Sequence, residues 1–404
     1  MQSLILLVLG LFLMGNPPVG NFASAASPIR DIPEKVLIGY AGDYYENARK
    51  AVVEDGVNIV IWSFVNIVAA NDNQEILPDG ALFSTQRRAF SNVPDNAYDP
   101  QQRLKTTAVV KTGLDMGKIK DLIEELDGGG YSHVLHLASF GGWDGPHLDP
   151  SLSAQEWYNG WTNSIASDVF HGIDWDIEGS DDRMSPNNEF TIDCLEKMGD
   201  ISRLMHNDGY VVTMAPPQSY LNVNDSNFSR YVNLTFSNRR WHNNFGNFGS
   251  NVYAYILAKY GDYIDLVSIQ FYESYSDAAM AVYHDGVAAD DYIFSYVYDI
   301  VVQKQSKFYV DFSQDAALNM ESQYVEMPLS KLVIGLSNGW ALTPSNLNKV
   351  LYISPEECKE AYLRLKNSDQ GDLTPRGFMF WTINDRGSQD VYLARGINEF
   401  LHNL

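Results

Sequence analysis

The sequence predicts one α/β domain, a (β/α)8 TIM barrel with insertions at its rim. Eight short apolar runs, each typical of a buried β-strand, recur along the chain, and amphipathic stretches lie between most of them. Strands that alternate with helices form parallel βαβ units, and eight such units suit a closed barrel. The 404 residues are enough for a barrel of about 250 residues with insertions.

Each element follows from its apolar pattern. The predicted strands are residues 36–40, 58–64, 133–139, 172–178, 210–215, 266–272, 332–336 and 377–381. Helices are predicted at 44–54, 115–126, 154–167, 188–206, 251–260 and 355–367, with a closing helix at 391–401. No Gly-rich phosphate loop follows the first strand, which disfavours a dinucleotide-binding sheet. Residues 68–113 and 273–330 are too long for simple connections and are predicted to be insertions near the rim.

The N-terminus has the order of a secretory signal. An apolar run at residues 2–15 precedes the small residues of 23–26 and is too short for a comfortable membrane span. We predict a cleaved signal peptide over 1–26, a single domain over 27–404, and a secreted, extracellular protein. Sequons for N-glycosylation favour a glycoprotein and begin at Asn224, Asn227 and Asn233.

The net charge limits the possible partners, and the two cysteines bear on disulfide formation. The 28 basic and 51 acidic side chains give a net charge of −23, which argues against nucleic acid and anionic membranes as partners. Cys194 and Cys358 fall on predicted helices that are not neighbours in the barrel. We therefore expect two buried free thiols. We also expect a monomeric protein.

The predicted strand at 172–178 carries an unusual row of acids. Asp174, Asp176 and Glu178 are two residues apart, so a strand places them on one face. The opposite face is apolar, which disfavours a solvated strand: Ile173, Trp175 and Ile177. Like charges this close raise one another's pKa, a cost tolerated where a carboxyl must stay protonated to act as an acid. Carboxylates alone suit Mg²⁺ or Ca²⁺, but the absence of nearby His or further liganding Asp disfavours a metal site.

Depth along the strand separates the three acids. Catalytic groups of such barrels lie at the C-terminal ends of the strands. Glu178 is therefore nearest the cleft and is the natural proton donor. Asp176 lies one step deeper, within reach of Glu178 and of a substrate. Asp174 is deeper still and is expected to share a proton or a hydrogen bond with Asp176.

The segment 172–178 resembles the signature of glycoside hydrolase family 18, the chitinase family, whose usual pattern is Asp-x-x-Asp-x-Asp-x-Glu. The last three acids of that pattern are present, and His171 occupies the first position. Residue 171 differs in parity from the acids, so in a regular strand its side chain points away from their face. We expect His171 to affect local structure more than chemistry.

Other predicted strands support the resemblance, which covers about residues 33–403. Ser139-Phe140-Gly141-Gly142 resembles the family's Ser-x-Gly-Gly motif, and two glycines permit close backbone approach to a ligand. Met214-Ala215-Pro216 ends the fifth strand much as in the family. Gln270-Phe271-Tyr272 resembles the plant-type and bacterial single-domain branch, although Glu273 stands where Asn is more usual. Trp381 resembles the tryptophan that floors the family's sugar site.

The resemblance implies a secreted glycoside hydrolase that cleaves β-1,4 bonds between N-acetylglucosamine units of chitin by substrate-assisted, retaining catalysis. Glu178 would be the acid and base, Asp176 the acetamido partner, Asp174 their support, and Tyr272 a donor to the acetamido oxygen. Contacts to chitin or a chitooligosaccharide would come from Gly141, Gly142, Met214, Gln270 and Trp381. No metal or organic cofactor is implied.

Two alternatives stay open. An endo-β-N-acetylglucosaminidase that cuts N-glycan cores would share the same acids and differ in its rim loops. A chitin-binding lectin without activity would belong to another class, and the presence of Glu178 argues against it. Chain-length preference, processivity and endo or exo action are not determined by these motifs.

Overall fold

The computed structural model describes residues 31–70, 75–76, 82–83, 107–180, 182, 184–232, 251–273 and 276–402. The strands are β1 Val36–Ala41, β2 Ile59–Trp62, β3 Val65–Ala70, β4 Glu75–Ile76, β5 Leu82–Phe83, β6 Thr107–Thr112, β7 Leu135–Gly142, β8 Gly172–Ile177, β9 Val211–Met214, β10 Leu266–Gln270, β11 Lys307–Val310, β12 Gln323–Glu326, β13 Leu332–Ser337 and β14 Gly377–Trp381. The helices are α1 Tyr45–Asp55, α2 Met116–Leu126, α3 Ala154–Thr162, α4 Ala166–Val169, α5 Ile192–Asn207, α6 Ala254–Tyr260, α7 Asp277–Ala279, α8 Ala289–Tyr298, α9 Pro355–Lys366 and α10 Leu393–Leu401.

Eight parallel strands close a barrel, which confirms the predicted fold class. Their order around the barrel is β1, β2, β7, β8, β9, β10, β13 and β14, and β14 pairs with β1. These are the eight strands expected from the sequence, with ends that differ by a few residues. The register places β7 and β9 on either side of the acidic strand β8.

Alternation along the strands sorts side chains into two apolar layers. The barrel interior holds a small cluster that includes Val36, Ile38 and Tyr40 of β1. A much larger cluster fills the space between the strands and the surrounding helices, and Ile173, Trp175 and Ile177 belong to it. The apolar face of β8 is therefore covered by helices, and the side chains of its acidic face point into the barrel.

Local signals fix the helix ends better than periodicity did. The helix predicted at 154–167 is two helices, α3 and α4, and Ser153 caps α3 in a capping box with Glu156. The helix predicted from residue 188 begins at Ile192, because the Thr191 side chain accepts a hydrogen bond from the amide of Cys194.

Both predicted insertions contain regular structure. The ends of the first form an antiparallel pair, β3 with β6, and much of its remainder lies outside the described residues. The second holds α7, α8 and the β11–β12 hairpin. Periodicity missed α8, whose Tyr296 and Val297 are buried against the barrel.

Several smaller expectations can be compared with the structure. Both cysteines are buried and free, as predicted. The predicted signal peptide and the sequon at Asn233 lie outside the described residues, whereas Asn224 and Asn227 are exposed. Within the described part of the chain, every helix is too short or too polar to cross a membrane.

Candidate active site

The three acids of β8 lie at the C-terminal end of the barrel, all on its inner side. Asp174 and Asp176 belong to the strand, and Glu178 directly follows its last residue, Ile177. All three are almost inaccessible, with relative exposures of 0%, 4% and 5%. Burying carboxyl groups is costly unless they are hydrogen-bonded or protonated, so their partners decide what each acid can do.

Asp174 is held by three hydroxyl groups. Tyr40 and Ser139 donate to its Oδ2 at 2.6 and 2.8 Å, and Thr213 donates to its Oδ1 at 2.6 Å. The register explains the last two contacts, because Ser139 and Thr213 are the direct strand neighbours of Asp174. Burial raises the pKa of Asp174, and these donors oppose the rise.

The donors of Asp174 correct one prediction from the sequence. Its carboxyl group is satisfied by hydroxyls from three other barrel strands and does not need to share a hydrogen bond with Asp176. Asp176 is instead hydrogen-bonded to Glu178. Strand spacing sets only the distance between Asp174 and Asp176. Donors on β1, β7 and β9 orient the carboxyl of Asp174, and a donor on β10 orients that of Asp176.

Asp176 and Glu178 form a proton-sharing pair. Burial, together with the negative charges of Glu178 and Asp174, raises the pKa of Asp176 far above its usual range. Burial also raises the pKa of Glu178, to about 7, although hydrogen bonds from Gln270 and Asp176 oppose the shift. One carboxyl of the pair therefore keeps a proton at neutral pH.

Gln270 serves both members of this pair. Its Nε2 donates to Oδ1 of Asp176 at 2.9 Å and lies 3.4 Å from Oε1 of Glu178. The same nitrogen donates to the carbonyl of Ala215 at 2.7 Å, which fixes the orientation of the amide. Gln270 therefore lies on the same side of the barrel wall as the acids, and its contact with substrate stays a prediction.

The backbone around Glu178 is held by side chains from three other elements. His147 contacts the carbonyl of Glu178 at 3.0 Å, and the Tyr253 hydroxyl donates to the carbonyl of Ile177 at 2.9 Å. The Tyr220 hydroxyl accepts from the amide of Gly179 at 3.1 Å. These contacts hold the backbone at the end of β8 and so help to fix the position of the acid.

Glu273 adds a fourth carboxyl. It directly follows Tyr272 after β10, and its side chain is hydrogen-bonded to Glu178. Its charge also raises the pKa of Asp176, after the larger effects of burial and of the other two acids of β8. The residue that departs from the usual Asn of the resembling branch is therefore in contact with the candidate proton donor.

Aromatic rings form the walls around the acids. The half-buried ring of Trp381 lies 5.3 Å from that of Tyr40 and stacks on Phe64 with centroids 5.8 Å apart. Tyr272 is half-buried and lies against Trp340 at 6.4 Å. Burial, with the charges of the acids, raises the pKa of Tyr272 well above its usual range, so its hydroxyl keeps its proton.

The structure does not bring Met214 to the cleft. Thr213 points inward to Asp174, so Met214, the next residue on β9, points outward. It is fully buried between the barrel and the helices. The prediction that Met214 contacts substrate is therefore wrong, because a one-residue difference in parity separates it from the inner face.

The glycine pair of β7 is explained by protein packing. A Cβ at Gly141 would lie 2.5 Å from the carbonyl oxygen of Asp176, and one at Gly142 would lie 2.5 Å from the Phe64 ring. Both residues also have positive φ, 108° and 84°. Their small size lets the acidic strand and the aromatic wall approach β7, and contact with substrate stays a prediction.

Sequence reasoning missed several residues of this site. Tyr40 and Thr213 could have been found from parity, since both lie on inner faces of barrel strands close to their C-terminal ends. Tyr253 and Trp340 lie outside the barrel strands, where periodicity carries no information about the cleft. In the described part of the chain, no set of three or more His, Cys, Asp or Glu side chains is arranged to hold a metal ion.

No family model matches the sequence, and a search of curated proteins found no match. Solved structures that match this chain include a GH18 chitinase from Pseudoalteromonas aurantia, which is 14% identical over 91% of this chain and 100% of that chain, with a TM-score of 0.45. The C-terminal domain of Legionella pneumophila ChiA is 14% identical over 91% and 98%, with a TM-score of 0.48. A xylanase-A-amylase inhibitor protein, XAIP-III, is 15% identical over 91% and 98%, with a TM-score of 0.44. At these identities and TM-scores we infer no shared activity from the similar structures.

Proposed function

We propose that the protein is a chitinase-type glycoside hydrolase that cleaves β-1,4 bonds between N-acetylglucosamine units with retention of configuration. One observation carries the proposal. Glu178 is buried at the mouth of the barrel, its pKa is raised to about 7, and it is hydrogen-bonded to an Asp176 that Gln270 holds in place. A carboxyl that keeps its proton near neutral pH is what protonation of a glycosidic oxygen requires.

The arrangement of the acids favours help from the substrate. A retaining enzyme with its own nucleophile holds two carboxyls about 5 Å apart across the sugar. Here Asp176 and Glu178 lie on the same strand face and hydrogen-bond to each other. The two carboxyls are therefore not placed on opposite sides of a bound sugar. A sugar acetamido group can supply the missing nucleophile, as in the substrate-assisted glycosidases.

In the first step, Glu178 gives its proton to the leaving oxygen as the bond between that oxygen and the anomeric carbon breaks. The acetamido oxygen attacks the anomeric carbon and forms a cyclic oxazolinium ion. Asp176 accepts a hydrogen bond from the acetamido N–H and stabilises the positive charge that develops there. Tyr272 donates its hydroxyl proton in a hydrogen bond to the acetamido oxygen and holds it in line.

In the second step, Glu178 takes a proton from water, and the oxygen of that water attacks the anomeric carbon. The carbon–oxygen bond of the oxazolinium ring breaks, and the acetamido group is restored. Two displacements at the same carbon give retention, and Glu178 regains its proton. Asp174, one step deeper on β8, is held in place by three hydroxyls and supports Asp176 from below.

The lining of the site supports a neutral glycan as substrate. The side chains that contact the acids are hydroxyls, an amide and another carboxyl, namely Tyr40, Ser139, Thr213, Gln270 and Glu273. Anionic sugars would be repelled by this set. The Trp381 ring offers an apolar surface on which the C–H face of a pyranose can rest.

Hydrolysis of a fluorogenic chitotrioside tests the proposal, with a high-mannose glycopeptide as the competing substrate. Cleavage of the chitotrioside with the β-anomer formed first, as seen by NMR, is the expected result. Cleavage of the glycopeptide alone would favour the endo-β-N-acetylglucosaminidase. Tight binding of chitooligosaccharide without cleavage of either substrate would favour the lectin.

Variants of the two acids test the assigned roles. Glu178→Gln keeps the shape of the side chain and removes the transferable proton, so turnover should fall by about 10³-fold or more while oligosaccharide binding survives. Asp176→Asn should also lower turnover severely. An oligosaccharide with glucosamine in place of N-acetylglucosamine at the scissile position should resist cleavage, because it lacks the internal nucleophile.

Secretion and glycosylation belong to the same proposal. We expect the signal peptide to be cleaved near residue 26 and glycans to occupy the exposed Asn224 and Asn227. Expression in a eukaryotic secretory host, followed by N-terminal sequencing and endoglycosidase treatment, tests both expectations. Retention of residues 1–26 in the mature protein, or no change in mass after treatment, would contradict them.

A further inference from the structure

The hydroxyl of Tyr272 is not anchored by any side chain or backbone group in the part of the chain that the structure describes. Among the described residues it has no hydrogen-bond partner, although the proposed mechanism needs it to face the acetamido oxygen. Only its backbone is fixed, since the amide of Leu351 donates to the Tyr272 carbonyl at 2.9 Å. Rotation of the ring about χ1 and χ2 must therefore be limited by packing.

Trp340 is the aromatic neighbour that supplies this packing. The two rings are 6.4 Å apart and almost perpendicular, at 86°, which is a favourable edge-to-face geometry. Trp340 lies in the connection between β13 and α9, in a short helical turn at Gly339–Leu342. Its side chain is half-buried.

A hydrogen bond fixes the ring of Trp340 in turn. Its indole N–H donates to the carbonyl of Trp381 at 2.6 Å. The amide of Asn338 donates to the same carbonyl at 2.8 Å, and Asn338 Nδ2 donates to the carbonyl of Thr382 at 2.8 Å. Three hydrogen bonds thus join this turn to the end of β14, where Trp381 stands.

Close approach of the turn depends on Gly339. A Cβ at this position would lie 2.0 Å from the carbonyl oxygen of Ser388. Glycine therefore lets the turn pack tightly enough for Trp340 to reach Trp381 and Tyr272 together. A loosely packed surface loop would not require a glycine at this position.

We propose that Trp340 is a positioning residue of the active site, which holds the Tyr272 ring in its productive orientation while anchored to Trp381. The proposal rests on the function proposed above. Because Trp340 acts by positioning the Tyr272 hydroxyl, replacing Trp340 should change the rate of the chemical step more than substrate affinity. Small errors in the position of a catalytic group can lower a rate by about 10²-fold.

A double-mutant cycle on the full-length protein tests this inference. Trp340→Leu is made in the wild type and in Tyr272→Phe, and kcat and KM are measured with a fluorogenic chitotrioside. We expect Trp340→Leu to lower kcat by about tenfold in the wild type and by less than about threefold in Tyr272→Phe, because the hydroxyl it positions is already gone. Trp340→Phe keeps a ring edge and should lose less.

A role in folding alone gives a different pattern. It would lower kcat by the same factor in both backgrounds, and that additive result would overturn the inference. If Trp340→Leu does not fold, Trp340→Phe completes the same cycle. Tyr324→Ala, on the exposed face of the β11–β12 hairpin, is the matched aromatic control and should leave kcat unchanged; the Tyr324 side chain is 66% exposed.

The wild type, measured in parallel, separates this inference from the function on which it rests. If the wild type does not cleave the chitotrioside, the proposed function fails and the role of Trp340 fails with it. If the wild type cleaves it and the two substitutions are additive, only the role of Trp340 is rejected.

Discussion

The side-chain amide of Gln270 donates to Oδ1 of Asp176 at 2.9 Å and reaches Oε1 of Glu178 at 3.4 Å with the same nitrogen. The two acids are neighbours on one strand face, but Gln270 comes from a different strand, β10. The charged forms of both acids are therefore stabilised by one donor. This relationship makes the titration of the pair sensitive to a residue that carries no charge.

Replacing that donor should shift the pH dependence of the reaction. Gln270→Met has similar length and no N–H, so the anionic forms lose stabilisation and the pKa of Glu178 should rise. Because Glu178 must be protonated for the first step, the alkaline limb of kcat/KM should move to higher pH, by about 0.5–1 unit. An alkaline limb at its wild-type position would contradict the assignment of Gln270.

Glu273→Gln should shift the same limb in the opposite direction. The substitution keeps a hydrogen-bond donor for Glu178 and removes a nearby carboxyl charge, so ionisation of the acid pair becomes easier. The alkaline limb of kcat/KM should fall by up to about 1 unit. The matched control is Glu326→Gln on β12, an exposed glutamate, which should leave the profile unchanged.

An unchanged alkaline limb in Glu273→Gln would show that Glu273 acts mainly as a hydrogen-bond donor to Glu178, a role that the glutamine amide keeps. In that case its charge has little influence on the pair. The opposite signs expected for Gln270→Met and Glu273→Gln also guard against a general loss of structure, which would not move the two profiles apart.

The raised pKa of Glu178 should also appear in the stability of the protein. The unfolded pKa of a glutamate is about 4.3, whereas that of folded Glu178 is raised to about 7. Between these values the folded state holds a proton that the unfolded chain has lost, so the free energy of unfolding falls as pH rises. This acid therefore destabilises the fold at and above neutral pH.

Glu178→Gln removes that titration. The variant should match the wild type in thermal stability near pH 4 and should have a higher Tm near pH 8, by about 2 °C or more. Differential scanning calorimetry at the two pH values measures the difference. A Tm difference that is the same at both values would argue against a buried, titrating Glu178.

His171→Asp introduces the residue that is usual at this position of the family 18 signature that the sequence resembles, and its effect should be small. His171 Nδ1 accepts a hydrogen bond from the backbone amide of His136 at 2.9 Å, on the outer side of the barrel. The expected orientation away from the acids is thus confirmed. A carboxylate at this position can accept the same bond, so kcat should stay within about threefold of the wild type, since the acids are untouched.

Initial rates on the chitotrioside and the Tm of the purified variant are the relevant measurements. A gain in rate of more than tenfold would show that His171 impairs the native site. A large loss would show that the layer outside β8 is coupled to its inner face.

The recurrence of apolar runs along the sequence determined the barrel, and the alternation of side chains within one strand determined the face on which the acids lie. Eight apolar runs gave the strands, and alternation within 172–178 separated Asp174, Asp176 and Glu178 from Ile173, Trp175 and Ile177. Both results depend on short-range geometry, since side chains of a strand alternate wherever the strand is placed. The same rule, applied to β9, could have excluded Met214.

Only the tertiary structure decided how the acids are connected. The hydroxyls on Asp174 come from β1, β7 and β9, the amide on Asp176 comes from β10, and Glu273 and Trp340 come from segments beyond the strands. These residues are far apart in the chain, and closure of the barrel brings them together. Hydrogen bonding and desolvation depend on distances of a few ångströms between such residues. The sharing of a proton between Asp176 and Glu178 could therefore not be predicted from their spacing in the sequence.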